Sequence, residues 1–474
     1  MKKALLLSMM VVLSLTASAL ASYEVTMGGL VYTVNPNKME ANVEYPDWET
    51  FVPNVVIPAT IEVTEGDYPG TYQVTSLKRA FRLSSDLVSI TIGKNVRELE
   101  DEAFYYCENL ESVTFEEGSQ MTTIGKEAFY KCSKVKMLNL PSTITTIKKR
   151  AFELCKALET ITLPTSLATI GEYAFVNCYE LASITIPASV KTIETAAFDG
   201  CTKLATVTLS EGLETLGGIA FSRCAITEFH IPASVTLIDG NPCAHCSQLT
   251  TVTVAAGSTS YVARDNVVYT KDMTKLVMCV PTKTGSFSVP AGVTTIANSA
   301  FRSCLLTAIS LPESAVNIEG YAFYQCKGLT TITIPEGVTV LYTATFYECT
   351  ALQSVILPST ITEVGFSAFY GCGSLADVFL KATIVPTDNG YGFSARNQKN
   401  LHVPTASLDA YKATDPWNQF KNIDDNFSGM PTGIGGVCSQ EVGRDSWYNL
   451  SGRRIQGTPT QRDLYLYQGK KVVR

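Results

Sequence analysis

Cysteine and histidine are the residues of this chain that could bind a metal or act as nucleophiles. The sequence contains 14 Cys and three His, at His230, His245 and His402. The densest combination is Pro242-Cys243-Ala244-His245-Cys246, which resembles a compact metal cluster. A closed structural zinc site needs four ligands, and no second cysteine pair follows this one. We therefore interpret the segment as a degenerate repeat unit or a local disulfide, and we expect neither a metal nor a cofactor.

Other residue patterns that support catalysis are missing from the sequence. It has no G-x-S-x-G, no H-E-x-x-H and no glycine loop of the kind that holds phosphate. Carboxylate pairs such as Glu116-Glu117 and Asp424-Asp425 fall at turns or ends, where solvated charge is the ordinary interpretation. We expect that the protein is not an enzyme.

Most of the cysteines belong to a repeated unit, Ala-Phe-x-x-Cys. Most neighbouring Phe residues of this unit lie 23 positions apart. A fixed period of this size predicts a solenoid, in which each coil buries its apolar face against the next. The Phe and Cys positions are Phe104/Cys107, Phe129/Cys132, Phe152/Cys155, Phe175/Cys178, Phe198/Cys201, Phe221/Cys224, Phe301/Cys304, Phe323/Cys326, Phe369/Cys372 and, with Thr345 in place of Ala, Phe346/Cys349.

The unit from Leu181 to Cys201 predicts how one coil is built. Ser183 to Ile186 alternates polar and apolar residues, which is the period of a half-buried strand. Pro187 ends this strand because proline donates no ladder hydrogen bond. Ala197-Phe198 then returns the chain to the core through a short turn or helical piece, and we interpret the repeat cysteine as a small buried hydrophobic residue.

This pattern, L-x-x-I-x-I-P-x-x-V-x-x-I-x-x-x-A-F-x-x-C, resembles the BspA-like (treponemal-type) leucine-rich repeats from about Ser76 to Leu380. The resemblance implies a β-rich arc with parallel strands on its concave face and short turns or helical pieces opposite. It also implies an exported surface protein of a host-associated microbe. Members of the family that are characterised as adhesins bind matrix proteins or other cells.

Departures from the repeat indicate the domain organisation. Residues 255–289 break the period and contain two short apolar runs, which predicts a hairpin-like insert. We expect the following boundaries: signal peptide 1–21, N-terminal β cap 22–75, first repeat array 76–254, insert 255–289, second repeat array 290–380, C-terminal cap 381–425, linker 426–445 and a small C-terminal β-tail 446–474. The tail is either a sorting segment or an appendage that packs or pairs.

The N-terminus and the charge indicate where the protein acts. Lys2-Lys3, the apolar stretch Ala4 to Leu15 and the site Ala19-Leu20-Ala21 predict a cleaved signal peptide, and no Cys follows that would carry a lipid. No later stretch is long and apolar enough to span a membrane. A formal net charge of −7 and a pI near 5.3 argue against nucleic acid or anionic lipid as partner. We expect a secreted or cell-surface protein.

The predicted strands offer a face for ligand binding. If Ile and Leu point inward, Ser and Thr occupy most outward positions, where Thr is a good strand residue regardless of any ligand. Larger groups break this pattern and are better anchor candidates. These candidates are Met137, Asn139, Glu228, His230, Ser354, Asp377 and Phe379, with Ile356 beside Ser354.

We expect an adhesin that recognises an extracellular protein or glycan through the solenoid surface. The alternative is a structural spacer protein that associates with itself and has no specific foreign ligand. Binding of ice or a crystal by Thr-x-Thr ladders is a third possibility, and chemistry in the 255–289 insert is the least favoured one. The oligomeric state stays open.

Overall fold

The computed structural model describes residues 20–46, 52–388 and 390–431, and four strands between 447 and 473. It contains two compact units, Met1–Ile226 (unit 1) and Thr227–Arg474 (unit 2). In each unit, short parallel strands recur coil after coil and are joined by turns. The predicted fold class, a leucine-rich-repeat solenoid with parallel strands and little helix, is confirmed.

Unit 1 begins with strands that cover the first coil. β1 and β2 form an antiparallel hairpin about Gly28-Gly29, whose φ angles of 59° and 76° suit glycine. β3 pairs with β6 in parallel and so starts the solenoid register, and β5 pairs with β6 antiparallel. The six strands are β1 (Tyr23–Met27), β2 (Leu30–Asn35), β3 (Glu40–Pro46), β4 (Asn54–Ile57), β5 (Thr60–Val63) and β6 (Gly70–Leu77).

The repeats of unit 1 form two ladders of parallel strands. The long ladder follows β4 and comprises β7 (Ser89–Ile92), β9 (Ser112–Phe115), β11 (Met137–Asn139), β13 (Thr160–Thr162), β15 (Ser183–Ile186) and β17 (Thr206–Leu209). Its strands are hydrogen-bonded in three groups, β4-β7-β9, β11-β13 and β15-β17. The short ladder follows β6 and comprises β8 (Glu98–Leu99), β10 (Thr123–Ile124), β12 (Thr146–Ile147), β14 (Thr169–Ile170), β16 (Thr192–Ile193) and β18 (Thr215–Leu216). Sequence reasoning predicted the long ladder and missed the short one, because a two-residue strand leaves almost no periodic pattern.

The Ala-Phe segment of each repeat is a turn, and helical pieces do not occur in the described repeats. Around Phe129, Glu127 and Lys131 have left-handed backbones with φ of 56° and 63°. A left-handed non-glycine residue costs roughly 1–2 kcal/mol. Both donate their N–H groups to carbonyls of the next coil, at Lys149 and Glu153, over 3.0 and 2.8 Å. These two left-handed residues thus donate hydrogen bonds that link successive coils along the solenoid axis.

A stack of phenylalanine rings fills the core beneath these turns. From Phe81 to Phe221 the centroids of adjacent rings lie 4.9–5.6 Å apart, and their planes are within 21° of each other. All seven rings are at most 1% exposed. Because each ring rests on its neighbours, no coil has a complete core by itself.

Unit 2 begins with one regular coil and then the insert. The strands of this coil are β19 (Glu228–Ile231) and β20 (Leu237–Ile238), and β21 (Thr251–Val254) of the next coil pairs in parallel with β19. The insert has an antiparallel meander of β22 (Tyr261–Arg264), β23 (Val267–Thr270) and β24 (Lys275–Cys279), so a third strand joins the expected hairpin. β24 then pairs in parallel with β26 (Thr295–Ile296), and β25 (Thr284–Ser288) pairs in parallel with β27 (Leu305–Ser310). The insert therefore ends the sheets that contain β20 and β21, and new parallel pairings begin from β24 and β25.

The later coils of unit 2 repeat the arrangement of unit 1. Their long-ladder strands are β27 (Leu305–Ser310), β29 (Thr331–Thr333), β31 (Ser354–Leu357), β33 (Asp377–Leu380), β35 (Asn400–His402) and β36 (Asn422–Asp424). Their short-ladder strands are β26 (Thr295–Ile296), β28 (Asn317–Ile318), β30 (Val340–Leu341), β32 (Glu363–Val364) and β34 (Thr387–Asp388). A second ring stack runs from Phe301 to Phe393.

An aromatic cap ends this second stack. Trp417 and Phe420 meet Phe393 edge-on, with centroids 6.0 and 5.4 Å away. The helix α1 (Leu408–Ala413) and short 3-10 helices at Arg396–Gln398, Thr405–Ser407 and Trp417–Gln419 surround them. The C-terminal β-appendage is an antiparallel sheet of β37 (Trp447–Asn449), β38 (Arg454–Ile455), β39 (Leu464–Tyr467) and β40 (Lys470–Val473).

Replacing Phe175 with Ala should remove two ring contacts from the middle of the stack of unit 1. We expect a loss of about 3–5 kcal/mol in the free energy of unfolding, as for other buried Phe to Ala changes. Urea denaturation followed by circular dichroism measures it. Phe175→Leu, which retains most of the buried volume, is the control and should cost clearly less. A loss below about 1 kcal/mol for the Ala variant would contradict the role of the stack.

Candidate ligand-binding face

The repeat cysteines are part of the solenoid scaffold and are not reactive groups. Each of nine thiols donates a hydrogen bond to the Phe carbonyl of the preceding coil, over 2.9–3.3 Å, as Cys201 does to Phe175. The same carbonyl accepts the N–H of the cysteine in its own coil, for example Cys178 to Phe175. Burial raises the pKa of the Cys155 thiol to about 12, so this thiol carries no nucleophilic thiolate at neutral pH.

The Cys243-Ala244-His245-Cys246 segment follows the repeat geometry. Cys246 N–H donates to Cys243 O over 3.2 Å, the bond that joins Cys and Phe in the other turns, and His245 has the usual left-handed backbone with φ of 61°. His245 Nε2 accepts from Arg302 Nε over 2.9 Å, and Ser303 Oγ lies against Nδ1. Cys243 and Cys246 are free buried thiols, so the degenerate repeat, not the local disulfide, describes this segment. No group of three or more potential ligands is suitable for a metal within the part of the chain that the structure describes.

His402 lies in a polar cluster at the C-terminal end of the long ladder. Its Nδ1 is 2.7 Å from Asp424 Oδ1 and its Nε2 is 3.3 Å from Asp377 Oδ1. Desolvation raises the pKa of Asp424, but hydrogen bonds from the Asn426 N–H and from His402 outweigh it and hold that pKa below the usual value. The neighbours of His402 are carboxylates and a Phe ring, so the cluster links β33, β35 and β36 and contains no activated nucleophile among the described residues.

In unit 1 the expected ligand-binding face is exposed. We call the outward-pointing residues of the long-ladder strands the ladder face. Met137 is 61% exposed, and Asn139, on the same strand, is also exposed. They lie in register with Thr160 and Thr162 of the next strand. Met137 therefore adds an apolar side chain to a surface of hydroxyl groups.

In unit 2 the ladder face begins with exposed Glu228 and His230. Their partners in the adjacent strand are Thr251 and Thr253. His230 Nδ1 lies 2.8 Å from Thr253 Oγ1, so the imidazole is fixed against the hydroxyl of the neighbouring coil. This pair of strands places a carboxylate and an imidazole side by side on a rigid surface.

Farther along unit 2 the expectation of exposure was wrong. Ser354 and Phe379 are only 8% and 2% exposed, and Ile356 is 3% exposed. The Phe379 ring stacks on His402 with centroids 4.5 Å apart and meets Phe427 at 6.1 Å. Phe427, in the segment after β36, thus lies against Phe379. Asp377 is partly exposed and accepts a hydrogen bond from Asn400 over 2.8 Å.

Sequence reasoning also missed a charged depression on the short-ladder side of unit 1. Lys78 contacts Glu44 at 2.7 Å, and Lys148 contacts Glu98 at 3.2 Å and Asp101 at 3.8 Å. Glu98 stands where the other short strands of this unit have Thr, which is the only sequence pattern that could have indicated the site. Four acidic and three basic residues line this depression, and because most of these charges are paired with each other we assign no ligand to it.

The chain belongs to the BspA type leucine-rich repeat family. The sequence pattern of BspA type leucine-rich repeat regions matches residues 72–182, 168–279 and 278–396, which together make up more than half of the chain. The expected family is confirmed. No curated protein matches the sequence.

Two solved structures are similar to this chain over most of its length. A leucine-rich cell surface protein of Faecalibacterium prausnitzii has a TM-score of 0.57 and 28% sequence identity, and the match covers 77% of this chain and 96% of that one. The pneumococcal vaccine antigen PcpA has a TM-score of 0.52 and 19% identity, with 85% and 99% covered. The similarity to PcpA shows a shared fold and nothing about function.

Two expected segments fall largely outside the described residues. They are the signal peptide, up to residue 19, and the linker, from residue 432. Among the described residues, none of the helices has the length and apolar character that crossing a membrane requires.

The thiol geometry predicts how the cysteines react. Thirteen described cysteines are free and buried, and Cys438 is the fourteenth. In a Cys438→Ser variant, we expect almost no reaction with a thiol reagent at pH 8 in the native state, because buried thiols stay protonated and inaccessible. All thirteen should react after denaturation without a reductant.

A colorimetric thiol count in the presence and absence of guanidinium measures both quantities. Fewer than thirteen thiols after denaturation would show disulfides among the described cysteines. Rapid reaction of the native protein would contradict the buried ladder.

Proposed function

We propose that the protein is an exported cell-surface binding protein, an adhesin that recognises macromolecules of a host or of neighbouring cells through its solenoid surface. Family membership supports a protein-interaction scaffold, because repeat solenoids of this type present long binding surfaces. The similar Faecalibacterium prausnitzii protein is described as a cell surface protein. The predicted signal peptide 1–21 would export the chain, and the 446–474 tail would be a sorting segment or an appendage that packs or pairs.

The ladder face carries this proposal. Parallel in-register pairing holds equivalent side chains of successive coils at strand spacing, about 4.8 Å apart. The exposed residues are thereby ordered before a ligand arrives, which lowers the entropy cost of binding. In each unit one of the expected pairs interrupts the exposed Ser and Thr background, Met137 with Asn139 in unit 1 and Glu228 with His230 in unit 2. These two pairs remain our candidate contacts.

The chemistry of the two pairs suits an extracellular protein or a glycan. Asn139, Glu228 and the neighbouring Thr hydroxyls can donate to or accept from amides and sugar hydroxyls. Met137 supplies an adaptable apolar contact. Asp377 belongs to the same face but is committed to His402 and Asn400, so we assign it a smaller contribution.

A solid-phase binding panel tests the proposal. The full chain without its leader is applied to immobilised matrix proteins, mucins and polysaccharides. We expect saturable binding to at least one of them. The variants Met137→Ser/Asn139→Ser and Glu228→Ser/His230→Ser are then titrated, and at least one pair should weaken binding about tenfold, which corresponds to about 1.4 kcal/mol.

The matched control is Thr160→Ser/Thr162→Ser, which retains the hydroxyl groups on the strand next to Met137 and should bind like the parent. A folded protein that binds nothing on the panel but associates with itself would reject the adhesin in favour of the structural spacer. Binding that survives both pair variants unchanged would place the contact elsewhere.

A further inference from the structure

The turns of unit 2 present a group of exposed aromatic side chains. We define the aromatic patch as Tyr321, Tyr342, Phe366, Tyr370 and Tyr391, which are 36%, 47%, 55%, 49% and 63% exposed. They come from four successive coils on the side of the Ala-Phe turns. Among the described residues of unit 1, by contrast, Tyr45 is the only exposed large aromatic residue, and it lies in β3. A concentration of exposed apolar rings on one side indicates an interaction site.

A rigid row of stacked tyrosines supports the patch. Tyr324, Tyr347 and Tyr370 lie one coil apart, with centroid separations of 4.8 and 5.2 Å and planes within 19°. The Arg302 guanidinium lies over the first ring, 4.3 Å from its centroid. The rings are therefore held in place in the absence of a ligand, and rigid Tyr side chains give contact area at low entropy cost.

Some polar groups around the patch bond to each other, whereas several tyrosine hydroxyls of the patch do not. Gln325 Nε2 donates to Glu348 Oε2 over 2.7 Å, and Thr345 Oγ1 donates to Tyr342 O over 2.7 Å. Within the described part of the chain, the hydroxyl groups of four patch tyrosines make no hydrogen bond; they belong to Tyr321, Tyr342, Tyr370 and Tyr391. Phenol hydroxyls are protonated donors at neutral pH. The patch thus offers apolar rings and O–H donors.

A proline-rich segment has the complementary chemistry. Proline has no N–H, so such a segment presents apolar rings and carbonyl acceptors. It adopts polyproline II, which rises about 3.1 Å per residue with three residues per turn, or about 9 Å per turn. Two steps of the tyrosine row span about 10 Å. One turn of the peptide therefore matches two coils, and four coils accommodate about five peptide residues.

We propose that the aromatic patch is a docking site for a proline-rich segment of an extracellular protein, bound in the polyproline II conformation. Aromatic surfaces recognise this conformation in a general way, because the peptide is ordered before it binds. The regular spacing of the tyrosine row matches the rise of polyproline II, which favours this occupant over a sugar. The site lies on the turns and is independent of the ladder face, so either site can fail without the other.

Fluorescence anisotropy tests the proposal with a dye-labelled peptide of eight prolines and the full chain without its leader. We expect saturable binding. The variant Tyr342→Ser/Phe366→Ser/Tyr391→Ser should bind at least tenfold more weakly. All three side chains are about half exposed or more, so the circular dichroism spectrum and the urea midpoint should be preserved. Tyr342→Phe/Tyr391→Phe, which retains the rings and removes two donors, should lose a few-fold.

Two controls accompany these variants. Leu305→Ser/Val316→Ser alters exposed aliphatic side chains of the same unit, 53% and 48% exposed, and should bind the peptide like the parent. A Gly-Ser peptide of equal length should not bind. The proposal is overturned if the proline peptide shows no saturable binding, if the serine variant binds it equally well, or if soluble oligosaccharides alone bind and depend on the patch.

Discussion

The structure depends on the contact between the Ala-Phe turns of successive coils. In most turns the Phe ring stacks on its neighbours, left-handed residues donate N–H groups along the axis, and the Phe carbonyl accepts the thiol of the next coil. Phe and Cys therefore take part in the same contact between coils. This contact forms only when consecutive repeats stay in register, because the ring, the carbonyl and the thiol come from different coils. This requirement explains the period of 23 residues that dominates the sequence.

Register at the turns determines what the surface can do. The turn contact aligns the strands and so places the residues of the ladder face at a constant spacing. The same alignment stacks Tyr324 on Tyr347 and Tyr347 on Tyr370. The described thiols are buried, and their hydrogen bonds stabilise the solenoid, so we expect them not to react in the native protein. The capacity for binding therefore lies in exposed residues that interrupt the regular pattern.

Much of the architecture follows from the sequence, because the period, the strand alternation and the proline position repeat many times. The short ladder does not, since a dipeptide such as Thr192-Ile193 carries too little pattern to define a strand. The left-handed turn conformation could not be predicted from the sequence either, because residues as different as Glu127 and Lys131 adopt it. The burial of Phe379 depends on Phe427, which is distant in sequence, so strand alternation alone predicted exposure. The tyrosine hydroxyls and rings of the patch are common surface residues until the fold brings them together.

Native-state hydrogen exchange measured by mass spectrometry tests the turn contact most directly. In a surface loop, backbone amides normally exchange fast. The account predicts that peptides covering the turn at residues 125–132 are protected as strongly as those covering β13, because Glu127, Phe129 and Lys131 donate their N–H groups to the next coil and the neighbouring amides bond within the turn or to the preceding coil. Residues 64–69, which lie outside the ladders, serve as the fast-exchanging reference. Exchange of the 125–132 turn at the rate of that reference would contradict the account.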